Sequence, residues 1–205
     1  MTVKYPKIET LFDRDKDTFT VTDVLRLPEF AVPRVWHVTE KIDGTNVIVT
    51  YKPEWNEPYE EFYTNEDGAR STRGVQDHIH PTRVDFNGRN GSSQLPGPLQ
   101  KHMEYIITLD ALNELFGASQ QEVTLYGEGY GPGIQKVGGN YRKSVGFRLF
   151  DVRVGEYFLN WENVTDIADK LGISTAPVLN PAATLEEVIA LVPANSTVAQ
   201  VENST

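Results

Sequence analysis

Two runs of β-branched and aromatic residues, Val35–Glu40 and Asn46–Tyr51, lie on either side of the turn-forming pair Asp43-Gly44 and predict two strands flanking a tight bend. The stretch Lys52–Thr82 is polar, carries aromatics without a clear period, and reads as a long excursion or insertion. Beyond it, Leu99, Met103, Ile106, Leu109, Leu112 and Phe116 recur at three- and four-residue spacing, which predicts one amphipathic helix closed by Gly117. Val123–Tyr126 and Phe147–Val152 read as strands around the glycine-rich segment GEGYGPGIQKVGGNYRKSVG. Trp161, Val164, Ile167, Ala168 and Leu171 line a short helix stopped by Gly172, and Thr184 opens a capping box with Glu187 ahead of Val188, Ile189 and Val192. Strands and helices alternate without a strict βαβ rhythm, so the expected class is α+β with an antiparallel sheet, not a doubly wound parallel one.

Composition narrows the chemistry. The 205 residues suit one domain spanning 1–205, and 39% hydrophobic residues allow a real core without covalent or metal staples. There are no cysteines, which excludes a thiolate nucleophile, a cysteine-based zinc or iron–sulfur site and a disulfide framework. No apolar block has the length of a signal peptide or a membrane span, so a soluble, cytoplasmic protein with no membrane partner is expected.

The net charge of −10 opposes nucleic-acid binding, but its distribution matters more than its sum. Lys52–Thr82 holds seven acids and three bases, whereas Pro132–Val154 holds five bases (Lys136, Arg142, Lys143, Arg148, Arg153) against Asp151 alone. Taken alone, such a basic stretch reads as a solvated face. The glycine-rich segment lacks the G-x-x-x-x-G-K-[ST] of a P-loop, and Pro132 stands where the third glycine of a dinucleotide fingerprint belongs. There is no G-x-S-x-G elbow. His78-X-His80 has chelating spacing but no third ligand in view, and reads as surface histidines.

The chemistry-bearing segment is Glu40-Lys41-Ile42-Asp43-Gly44-Thr45-Asn46. A lysine at a strand end, followed by an acid and by a glycine that allows close backbone approach, suits an amine set against a phosphate. Free lysine has a pKa of about 10.4, so a nucleophilic amine there requires partial desolvation or neighbouring cations, including a metal bound to the substrate. The same four residues Lys-X-Asp-Gly also fit a surface lysine ahead of a hairpin turn.

Other segments then fall in order. Lys41-Ile42-Asp43-Gly44 resembles motif I of the covalent nucleotidyltransferases, which include DNA ligases, RNA ligases and mRNA capping enzymes. Phe86-Asn87-Gly88-Arg89, with Gln94, is similar to the arginine segment of the RNA-repair branch, although Asn90-Gly91-Ser92-Ser93 departs from that branch's usual Thr-Asp-Asn-Ala. Tyr126-Gly127-Glu128-Gly129-Tyr130-Gly131-Pro132-Gly133-Ile134-Gln135-Lys136 resembles motif III of the RNA ligase 2-like family, and Phe147-Arg148-Leu149-Phe150-Asp151-Val152 its motif IIIa. The Gly-Pro-Gly-Ile-Gln-Lys continuation points to RNA ligases in preference to DNA ligases.

The resemblance implies a nucleotidyltransferase fold, the adenylation domain of an ATP-dependent RNA ligase. It implies that Lys41 attacks the α-phosphate of ATP to form lysyl-AMP, with Mg²⁺ or Mn²⁺ as cofactor, and that AMP passes to an RNA 5′-phosphate before a 3′-hydroxyl displaces it. It implies that Glu128 accepts from the ribose hydroxyls and that Phe150 stacks on the adenine, with a core position as the alternative for that ring. Glu40 would lie near the adenine edge, while Ile42, Asp43, Gly44, Thr45 and Asn46 would shape the lysine loop. Arg89 would face a phosphate or the RNA terminus, Asp151 would support a metal or phosphate, and the basic segment would line the RNA.

The family's motif IV, Glu-Gly-X-Val, and motif V, Lys-X-Lys, are absent, and the last lysine is Lys170. Losing two cations beside the α-phosphate would cost several kcal/mol of transition-state stabilisation, on the order of a thousandfold in rate. The expectation is therefore a nucleotidyltransferase domain incomplete at its C-terminus, completed by a C-terminal segment or a second chain. The alternative is a non-catalytic adenine-nucleotide or RNA-end binding protein.

Overall fold

The computed structural model describes residues 3–64, 66–68, 70–119, 121–136, 138–192 and 196–198, with backbone alone at 56–63 and 70–79. Its centre is a six-stranded sheet. Strands β4 (Thr45–Lys52), β7 (Arg83–Gly88), β8 (Val123–Tyr130), β9 (Gly146–Val154) and β10 (Tyr157–Phe158) run in the order β10-β9-β8-β4-β7, all neighbours antiparallel, and β11 (Ser174–Thr175) joins β9 in parallel. Three two-stranded sheets complete the strands: β1 (Phe12–Arg14) with β2 (Val21–Leu25), β3 (Trp36–Thr39) with β12 (Val178–Ala183), and β5 (Trp55–Thr64) with β6 (Arg70–His80). The class is α+β with antiparallel sheets.

Alternation along β4 and β8 decides which face is the core. Val47, Val49 and Tyr51, with Val123 and Leu125, turn to the side covered by α1 (Gly97–Ile106), α2 (Leu109–Phe116) and α3 (Trp161–Leu171), where Leu99, Met103, Leu112, Val164 and Ile167 bury against them. The opposite face carries Asn46, Ile48, Thr50, Tyr126, Glu128 and Tyr130. Gly127 and Gly129 fall on the core side, where an added Cβ would strike Phe147 and Leu99 at 2.2 and 2.4 Å. Bare glycines there let the helices and β9 close on the sheet while Glu128 between them points the other way.

Three expectations change. The two strands flanking Asp43-Gly44 both form but do not pair: β3 joins β12, and β4 lies between β7 and β8. The single amphipathic helix is two, because Thr108 is extended (ψ 156°) and caps α2 by accepting from the Ala111 N–H. Gly117 ends α2 in a right-handed conformation (φ −61°), so no left-handed cap is involved. Gly172, by contrast, is left-handed (φ 65°) and stops α3, and Thr184 and Glu187 make a reciprocal capping box on α4 (Leu185–Leu191). The polar excursion is the long β5–β6 hairpin, inserted between Lys52 of β4 and its register partner Arg83 of β7.

Candidate active site around Lys41

Lys41 lies in the short link between β3 and β4, exposed, while its neighbour Ile42 is buried. The link is pinned from several sides. The Asp43 N–H donates to Tyr141 Oη at 3.1 Å, the Gly44 N–H donates to Glu128 Oε1 at 3.2 Å, and Gln135 Nε2 donates to the Gly44 carbonyl at 2.9 Å. Ile42 packs with Tyr130, Tyr141 and Val198, and the rings of Tyr130 and Tyr141 meet edge to face at 5.7 Å. Tyr141 and Gln135 both come from the glycine-rich loop after β8, so that loop is the outer clasp of the lysine link.

Close approach explains Gly44. A Cβ there would lie 2.2 Å from the Gly129 carbonyl oxygen and 3.0 Å from Glu128 Cγ. Only a residue without a side chain lets the link pass β8 tightly enough for its amide to reach the Glu128 carboxylate.

Sheet register gathers the polar groups. Asn46 is opposite Glu128 and Val47 is opposite Gly88, which places Arg89, the next residue after β7, beside the same rung. A tight turn holds Arg89 there: the Gly88 N–H donates to the Ser93 carbonyl and the Gly91 N–H to that of Gly88. Burial pushes the Glu128 carboxyl above its usual range, although the Lys41 ammonium, the Gly44 N–H and the Arg89 guanidinium all favour its ionised form and Asp43 opposes it. The same field names the members of the neighbourhood: Lys41, Asp43, Gly44, Arg89 and Glu128. Asn46 Oδ1 is buried there with no hydrogen-bond partner among the described residues.

Phe150 stands where β9 bulges. Tyr126 pairs with Asp151 and Gly127 with Leu149, so Phe150 is the unmatched residue. Its half-buried ring lies edge-on to Tyr5 at 5.0 Å, and Tyr5 also contacts Tyr126 at 5.1 Å, which sets all three rings on the Glu128 side of the sheet. The N-terminal segment is fastened over that side by Tyr126 Oη, which donates to the Val3 carbonyl at 3.0 Å. Asp151 is engaged at both oxygens, accepting from Tyr5 Oη at 2.9 Å and from the Val152 N–H at 2.9 Å. Burial raises its pKa against these two bonds, and burial beside that carboxylate also raises the Tyr5 phenol.

Glu40 is held by residues far along the chain. Its carboxylate accepts from Ser196 Oγ, from Thr197 Oγ1 and from the Thr197 N–H at 3.0 Å. Thr45 begins β4 opposite Gly129. His80 stacks flat on Trp55 at 4.0 Å, and the side chain of His78 lies outside the described residues. No group of three or more His, Asp or Glu able to hold a metal occurs among the described residues. A cleft lined by Tyr51, Trp55 and Asn113 lies at the opposite end of β4 from the lysine link. Among the described residues, no helix is long and apolar enough to cross a membrane.

Residues 34–202, more than half of the sequence, match the RNA ligase family. The chain belongs to the RNA ligase family. Its fold agrees with solved structures at low identity. A Naegleria gruberi RNA ligase variant with ATP and Mn is 17% identical with a TM-score of 0.54, over 82% of this chain and 44% of that one. The same organism's RNA ligase with pyrophosphate gives 17% and 0.51 over 96% and 55%, and an archaeal ATP-dependent RNA ligase gives 18% and 0.51 over 92% and 40%. This ligase-family chain thus spans under half the length of the first of these structures. No match is found among curated proteins. Sequence reasoning had not singled out Tyr5, Tyr141, Ser196 or Thr197 as site residues. Tyr141 was legible only as part of the glycine-rich segment, and the other three carry no local signal.

Proposed function

We propose that the chain is the nucleotidyltransferase domain of an ATP-dependent RNA ligase and that Lys41 is its nucleophile. The observation that carries this is the meeting of an exposed lysine on the β3–β4 link with a half-buried glutamate on β8, across the Gly44–Glu128 hydrogen bond. In the first step the Lys41 Nζ lone pair attacks the α-phosphorus of ATP. The bond to the bridging oxygen breaks, pyrophosphate leaves with its electron pair, and the amine loses a proton to give a phosphoramidate. An RNA 5′-phosphate oxygen then attacks that phosphorus, the N–P bond breaks, and the lysine recovers a proton. Attack by a 3′-hydroxyl on the activated 5′-phosphate forms the phosphodiester and expels AMP.

Glu128 serves this scheme as an acceptor for the ribose hydroxyls and as a brace for the lysine link. The unpartnered Asn46 Oδ1 suits a hydroxyl donor at the same place. Arg89, exposed beside Lys41's glutamate, suits a phosphate. Phe150 offers a ring face to the base on the same side of the sheet.

Without a three-ligand cage among the described residues, a divalent cation such as Mg²⁺ or Mn²⁺ fits as an ion held largely by the triphosphate, with Asp43 or Asp151 as carboxylate support. When bound it would neutralise charge on the phosphates. Asp151 has only its remaining lone pairs to offer. Motifs IV and V, absent from these 205 residues, would come from another segment or chain. A cytoplasmic setting, where ATP and RNA ends are both at hand, is part of the same proposal.

The test is incubation of the chain with α-labelled ATP and Mg²⁺. Acid-labile, base-stable label at Lys41, lost in Lys41→Ala and in Lys41→Arg, is expected. ATP binding by the folded chain with no label at saturating nucleotide would favour the non-catalytic reading instead.

A further inference from the structure

We infer that Glu40 is a positioning residue for Lys41: it clamps the segment Ser196–Val198 onto the lysine link, and its carboxylate is not a reader of the nucleotide base. This rests on the assignment of Lys41 above for its rate readout. Its geometric basis is separate.

Both neighbours of Lys41 hold the same short segment, 196–198. On one side, Glu40 accepts from Ser196 Oγ, Thr197 Oγ1 and the Thr197 N–H, across 156 and 157 positions of sequence. The Val198 N–H adds a fourth donor, and these bonds hold the carboxyl below its usual range although burial pushes the other way. On the other side, Ile42 at 3% exposure and Val198 at 2% pack together with Tyr130. Glu40 is further fixed by its own N–H, which donates to the Pro177 carbonyl at 2.8 Å.

A carboxylate has about four lone-pair sites. Four donors from residues 196–198 account for them, which leaves none for an exocyclic amino group of a base. What the arrangement does provide is a rigid frame on each side of an exposed amine. In-line attack on a phosphorus demands that frame, because a misplacement of about 1 Å costs on the order of a hundredfold in rate.

The experiment compares Glu40→Ala with the double variant Ser196→Ala/Thr197→Val, and with the two combined. Expected is a 10- to 100-fold slower formation of lysyl-AMP in each, no further loss in the combination, and an unchanged half-saturating ATP concentration. Preference for ATP over inosine triphosphate, which lacks the exocyclic amino group, stays at the wild-type value. A collapse of that preference in Glu40→Ala, with Ser196→Ala/Thr197→Val behaving as wild type, would overturn the inference.

Amide hydrogen exchange at Thr197 and Val198 gives a readout that needs no catalysis. Exchange at least tenfold faster in Glu40→Ala is expected, and unchanged exchange sinks the clamp even in a protein that takes up no label. Conversely, faster exchange in a chain whose Lys41 never labels would leave the clamp standing and remove the ligase chemistry.

Discussion

Replacing Gly44 with alanine tests the packing on which the site depends. The new Cβ would stand 2.2 Å from the Gly129 carbonyl oxygen, against ordinary contacts of 3.4 Å or more, so the link must retreat from β8 by more than 1 Å. The obstacle is backbone in the middle of a sheet, paired on both sides, and cannot swing away as a long side chain would. Overpacking of this kind costs about 1–3 kcal/mol. The retreat also stretches the Gly44 N–H to Glu128 bond, already 3.2 Å, and a hydrogen bond to a charged group contributes about 1.5–3 kcal/mol. With partial solvent access reducing the second effect, a total loss of about 2–4 kcal/mol is expected in urea unfolding, together with roughly a hundredfold slower labelling of Lys41. Gly97→Ala is the control: it opens α1, meets nothing within 4 Å, and should leave stability the same or slightly higher. Gly44→Ala unfolding within about 0.5 kcal/mol of wild type, the range of neutral surface changes, and labelling at the wild-type rate would show that the close approach is not real.

Further outcomes follow from other contacts. Thr184→Ala removes the Thr184 side of the α4 capping box and should lower stability by about 1 kcal/mol in chemical denaturation. Tyr5→Phe keeps the ring but deletes the donor to Asp151, so the Asp151 carboxyl should titrate higher still by NMR, with a stability loss of about 1–2 kcal/mol. For pH, a carboxyl raised by folding binds more protons native than unfolded. The contribution of Glu128 is therefore present below the ordinary glutamate pKa and lost as pH rises through its raised value, and Glu128→Gln should flatten the stability profile in that window. Glu40 has the opposite sign: its lowered pKa stabilises the fold above the ordinary value, that stability is lost as pH falls through the folded value, and Glu40→Gln should remove this acid limb.

Local pattern revealed what is local. Strands around Asp43-Gly44, the helix stopped at Gly172 and the box at Thr184 each follow from residues within a few positions of one another, and each forms. The split between α1 and α2 was written in Thr108 and Asp110, a cap followed by an acid in the first turn, but the apolar spacing runs through both helices and hid it. Partners distant in sequence were out of reach. That β3 pairs with β12 and not β4, that Phe150 is the unmatched residue of a bulge, and that Ser196 and Thr197 reach Glu40 all depend on register between segments far apart. Family resemblance brought Lys41, Arg89 and Glu128 to attention together, and the structure adds what holds them: one glycine, two tyrosines and a glutamine that no periodicity marks.

Among the described residues, β5 and β6 pair with each other and with no further strand, and Lys52 and Arg83, where the ribbon leaves and rejoins, face each other in register. In topological terms β4 and β7 are consecutive arms of one hairpin whose turn has been replaced by a graft of thirty residues, 53–82. Closing that span instead of a two-residue turn costs only about 2 kcal/mol of chain entropy. The graft thus weighs on the assembly of the sheet by about one side-chain contact's worth, and it joins the sheet at the end of β4 away from Thr45, where the strand meets the lysine link.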